Sequence, residues 1–66
     1  MHFQIGTEET RGITGSRAAK STTLSGALKE CLIFSKARHV KQAWLRECDN
    51  GKLGEVIAVF VKGVLQ

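Results

Sequence analysis

The run that opens at Leu24 places apolar side chains at Leu24, Ala27, Leu28, Cys31 and Phe34, with Leu32 on the flank. This is the i, i+3, i+4, i+7 spacing of one helical face, and it predicts an amphipathic helix over 24–38. Thr23 or Ser25 supplies a capping oxygen at its start. The basic run Lys36-Ala37-Arg38-His39 falls in its last turn, where positive charge complements the carbonyl end of the helix dipole. Cys31 lies near the middle of the apolar stripe and reads as a small buried hydrophobe. Ile33 points away from the stripe.

Two strand-like runs then flank Asp49-Asn50-Gly51-Lys52. Asn-Gly tolerates the two positive φ angles of a type I′ turn, whose twist matches that of paired strands, so a hairpin is predicted. With Asn50 and Gly51 as the turn, Arg46 faces Glu55, Leu45 faces Val56 and Trp44 faces Ile57. A slip of one residue sets Leu45 against Glu55 instead. Gly54 is the position at which a bulge would disturb this count. At the N-terminus, His2-Phe3-Gln4-Ile5 alternates as a half-buried strand does, and Gly6, Gly12 and Gly15 punctuate the segment after it. Residues 16–23 read as a second, exposed strand or an extended loop. The order is strand, second strand, helix, strand, strand. It predicts one small α+β domain over 1–66: two layers, with an antiparallel sheet of three to four strands and one amphipathic helix on one face.

The terminal run Val56-Ile57-Ala58-Val59-Phe60-Val61 is apolar at every position. Alternation sends Val56, Ala58 and Phe60 to one face with Leu45, and Ile57, Val59 and Val61 to the other with Trp44. One helix of about four turns covers one face of a small sheet and not two. The set Trp44, Ile57, Val59 and Val61 therefore needs an apolar cover, because large exposed apolar patches are uncommon on monomers. A second copy of the chain is the expected cover, seated face to face on the sheet or edge to edge along an outer strand. The competing arrangement folds residues 6–23 back over the open face.

Composition changes this picture little. Hydrophobic residues make up 42% and charged residues 24% of 66 residues, an ordinary globular balance. A chain this short buries only about 60% of the surface it exposes when unfolded, so a second subunit matters to its stability. Cys31 and Cys48 are too few for a disulfide framework and read as thiols in a reducing compartment. Neither pairs with His2 or His39 at zinc-ligand spacing, so no metal and no cofactor are expected. No apolar run reaches the roughly 18 residues that span a bilayer, and no signal peptide is apparent. The expectation is a cytoplasmic protein without membrane attachment.

Candidate chemistry is sparse. In Gly12-Ile13-Thr14-Gly15-Ser16-Arg17-Ala18-Ala19-Lys20-Ser21, alanine and not glycine precedes the lysine, so the phosphate-cradling loop is not met. Glu8 and Glu9 are adjacent and point to opposite sides of an extended segment. His39 caps carbonyls at the helix end and has no catalytic partner placed beside it. No enzymatic function is expected. Ten Lys and Arg against six Asp and Glu give a formal charge of +4, which permits polyanion binding. Lys36, Arg38, His39 and Lys41 cluster at the helix end as candidate nucleic-acid contacts, with Arg17 and Lys20, beside Arg11, in the preceding segment. Trp44 is the only large aromatic near them, which leaves no stacking platform. Two functional readings remain: a small interaction or regulatory module that dimerises and binds a protein partner, and a basic nucleic-acid-binding accessory protein.

Overall fold

The computed structural model describes residues 2–66. The elements are β1 (His2–Glu9), β2 (Thr14–Ala18), α1 (Leu24–Ser35), β3 (Val40–Asp49), β4 (Lys52–Val61) and β5 (Val64–Leu65). The five strands form one sheet in the order β2-β1-β3-β4-β5, antiparallel throughout, and α1 packs across β1, β3 and β4. This is the expected α+β two-layer arrangement, with a two-residue fifth strand added at the edge. No helix among the described residues is long and apolar enough to cross a membrane.

The helix-facing rows of the sheet are Phe3 and Ile5 on β1, Ala43 and Leu45 on β3, and Ala58 and Phe60 on β4, in register as Ile5–Leu45–Ala58 and Ala43–Phe60. From above, α1 sends down Ala27, Cys31 and Ser35, spaced i, i+4, i+8, while Leu28, Leu32 and Phe34 flank them. Alanines at 27 and 43 let the helix sit close to β3, and Leu45 is enclosed completely. Burial pushes the Cys31 thiol up to about 11, so it stays protonated and serves as packing volume.

Thr23 is the N-cap, its Oγ1 accepting from Gly26 N at 3.2 Å. The helix ends at Ser35, three residues short of the predicted Arg38. Lys36 N and Ala37 N donate to Ile33 O and Phe34 O, each at 3.1 Å, which tightens the chain out of the α register. Ser35, fully buried, donates its hydroxyl to Leu32 O at 2.6 Å and accepts from Gly63 N at 2.9 Å, tying this last turn to the β4–β5 turn. Lys36, Arg38 and His39 thus lie beyond the helix and not in its last turn.

The segment at 16–23 divides. Ser16–Ala18 complete β2, and after Ala19 N donates to Phe3 O at 2.8 Å the chain leaves the sheet. The loop is pinned to the helix side by the Glu30 carboxylate, which accepts from Lys20 N at 3.0 Å and Ser21 N at 2.8 Å. Those two backbone donors hold the Glu30 carboxyl below its ordinary value. Residues 6–18 therefore form the rest of β1, the turn and β2 within the sheet, and 19–23 cross to the helix side, leaving the far face open.

The β3–β4 turn is type I′ as expected, with φ of 50° at Asn50 and 78° at Gly51 and with Asp49 opposite Lys52. Beyond it the register departs from the simple count. Gly54 and Glu55 together oppose Glu47, and Ile57 is an extra residue between the pairs Arg46–Val56 and Leu45–Ala58. The first bulge sits where a β-carbon on residue 54 would lie 3.1 Å from Glu47 O, a backbone approach that glycine admits. Arg46 therefore pairs with Val56 and not Glu55, Leu45 with Ala58 and not Val56, and Trp44 with Val59 and not Ile57. Two insertions restore parity, so Ala58 to Val61 keep their predicted faces while Val56 and Ile57 exchange sides.

Candidate functional site

The face of the sheet turned away from α1 is built in rows. The central row is Ser16, Gly6, Trp44 and Val59, from β2 across to β4. On one side of it stands the row Ala18, Gln4, Arg46 and Val56; on the other, Thr14, Glu8 and Gln42, with Val61 next on β4 by alternation. Val61 in turn pairs with Val64 of β5. The face is divided: β1 and β2, with Gln42 and Arg46 of β3, present polar groups, and Trp44, Val56, Val59, Val61 and Val64 form the apolar side. Val56 is 41% and Val64 62% exposed.

Trp44 is fixed by a glycine. A β-carbon on Gly6 would fall within contact distance of indole Nε1 and Cε2, and 2.7 Å from Cζ2, so the ring lies directly over the Gly6 backbone. An aromatic resting on its cross-strand glycine restores the cover that the missing side chain leaves. Beside it, Gln4, Thr14, Ser16 and Arg46 line a shallow recess of about 300 Å³. Arg46 Nε is buried there without a hydrogen-bond partner, and Arg46 has no carboxylate partner among the described residues. Glu8, two rows away, accepts from Gln42 Nε2 at 2.6 Å.

Of the residues expected on this face, Trp44, Val59 and Val61 are on it. Ile57 is not, because the bulge at 57 turns it toward the helix side, where it borders a second recess with Phe3, Leu24, Leu28 and Glu47. Val56 takes its place opposite Arg46. Arg46 belongs to the face by alternation from Trp44 on β3; Glu8 and Gly6 belong to it as well, and their placement depends on β1 pairing with β3 some 40 residues along the chain, which the sequence does not show.

The basic residues separate into two groups. At one end of the sheet three turns converge: Thr10 N donates to His39 O at 2.9 Å, Lys62 Nζ donates to Val40 O, and the Lys36 side chain rests on Gly63. This brings Lys36, Arg38, His39 and Lys41 together with Arg11 and Lys62, of which Lys62 escaped the sequence reading. Arg17 and Lys20 are not part of this group. Arg17 lies on the β2 flank with its guanidinium 4.8 Å from the Phe34 ring centre, and Lys20 precedes the helix beside Glu30. β2 and the β4–β5 turn stand at opposite edges of the sheet. Among the described residues no three His, Cys, Asp or Glu side chains gather in a way that could hold a metal ion. Comparison with family models, curated proteins and solved structures finds no match to this chain.

Proposed function

We propose that this protein is a small interaction module that works as a homodimer, its second copy seated on the sheet face away from α1. The observation that carries this reading is the uncovered apolar half of that face, Trp44, Val56, Val59 and Val61, which no element among the described residues crosses. Full burial of a valine or larger side chain is worth roughly 1.5–3 kcal/mol, and a twofold doubles every contribution. The two longest dimensions of the molecule, 31 and 21 Å, bound a face on the order of 600 Å², close to the roughly 800 Å² that each partner buries in a standard interface. Edge pairing is the weaker geometry. β4 carries two bulges along its outer half and β2 has only five residues, both devices that blunt strand addition.

Sedimentation equilibrium tests this. The wild type is expected to fit a reversible dimer, and Val59→Lys to weaken it by about a hundredfold, since each copy places one charge in the interface. A wild type that stays a monomer into the high micromolar range, or a Val59→Lys protein that dimerises equally well, contradicts the reading.

The convergence of three turns into one basic end supports a second reading, contact with nucleic-acid phosphates through Arg11, Lys36, Arg38 and Lys41. Its signature is duplex binding that falls steeply with salt, with Arg38→Ala plus Lys41→Ala lowering the log–log slope by about 2. Binding insensitive to both salt and substitution removes it.

A further inference from the structure

We propose that the dimer is built on one particular axis, a twofold lying between the two sheets, perpendicular to the strands and passing over the Trp44 row, which sets Arg46 of each copy against the partner's Glu8. This rests on the self-association argued above and specifies its geometry. Glu8 and Arg46 stand on adjacent strands, one row to either side of Trp44, each about 6.6 Å from it along the strands. Within the paired rows of the open face Glu8 is the only carboxylate and Arg46 the only guanidinium.

A half-turn about this axis reverses position along each strand and keeps the strand order. It carries the partner's Glu8 over Gln4, one strand spacing of about 4.8 Å from Arg46. The reciprocal contact forms at the same time, as an isologous interface requires. The same operation lays Trp44 on the partner's Trp44, Val59 on the partner's Val59 and Val56 on the partner's Val61, so apolar meets apolar at Trp44 and along β4, while Arg46 falls over the partner's Gln42, the residue that already donates to Glu8. Sheets packed face to face rotate by about 30°, which moves groups 6.6 Å from the axis by about 3 Å, within reach of an arginine side chain.

The buried, unpartnered Nε of Arg46 selects between the available axes. Covering this guanidinium with a second sheet strips its remaining water, which is strongly unfavourable unless a carboxylate arrives with the cover. The other in-plane axis, running along β3, stacks Arg46 on the partner's Arg46, like charge on like charge. Only the perpendicular axis brings the complement.

Charge exchange tests the geometry. Glu8→Arg and Arg46→Glu are each expected to weaken the dimer at least about tenfold by sedimentation, and the combined protein to recover to within about threefold of wild type. Recovery in the double variant supports the axis. A double variant as weak as the singles, with a wild-type dimer that Val59→Lys still disrupts, overturns the axis and leaves the dimer standing. A monomeric wild type overturns the self-association itself. Should a charge reversal prevent folding by circular dichroism, the neutral cycle of Glu8→Gln and Arg46→Gln decides, with coupling of at least about threefold expected and additive effects contradicting the pair.

Discussion

Leu45→Ala is expected to lower the stability of this protein by about 2–5 kcal/mol in urea titration, a loss large enough to leave much of the chain unfolded at ambient temperature. Leu45 is fully buried on the central strand β3, paired with Ile5 on one side and Ala58 on the other. Its removal opens a cavity whose wall includes Ala27, Ala43 and Ala58, residues with no side-chain length to move into the gap. The incomplete collapse puts the expected cost toward the upper part of that range. A chain of 66 residues has roughly 3–10 kcal/mol to lose in all. A measured change below about 1 kcal/mol shows that Leu45 is not the centre of the core.

Gly6→Ala carries the second large effect, for a different reason. The added methyl and the Trp44 indole cannot occupy the same space, and the ring is the movable party. Swinging it off β1 removes its packing and exposes both the indole and the strand backbone beneath, at a cost of about 1–3 kcal/mol. Trp44 is the only tryptophan, so its emission should move to the red in the same variant. Gly15→Ala is the matched control. It lies on the neighbouring strand with nothing within 4 Å of the added carbon, so its stability should change by no more than about 0.5 kcal/mol. Equal stability of the two variants, with unshifted Gly6→Ala emission, contradicts the placement of Trp44.

Much of the architecture is local and could be read from the chain. The helix start rests on Thr23 and the apolar period beyond it, and the hairpin rests on Asn50-Gly51, both resolved within a few residues. The helix end is not legible locally, because Lys36-Ala37-Arg38 has good helical composition while the bond that ties its last turn down comes from Gly63 N to Ser35 Oγ, 28 residues away. β5 was missed because its turn places Lys62 at φ 51°, a conformation that lysine seldom adopts and that composition does not announce. Gly54 marked the first bulge, but the second falls inside Val56-Ile57-Ala58, where every residue is apolar and nothing local distinguishes the inserted one. That insertion moved Ile57 off the open face and brought Val56 onto it. Arg46 shares Trp44's face by strand alternation, but Glu8 joins that face beside Trp44 only through the β1–β3 register, which no periodicity encodes.

The basic end has a bearing on what the dimer presents. A half-turn about the proposed axis reverses each strand, so the two clusters containing Arg38 and Lys41 stand at opposite poles. Any polyanion contact they make would then bridge two segments and not grip one.

The most direct test of the central idea uses Trp44, the sole tryptophan and the middle of the uncovered face. Its emission should shift to the red as the wild type is diluted from high micromolar to low nanomolar concentration, in step with the fall from dimer to monomer mass by light scattering. Val59→Lys should show the diluted spectrum at every concentration. Emission and mass that stay constant across the dilution would contradict the claim that a second copy covers this sheet.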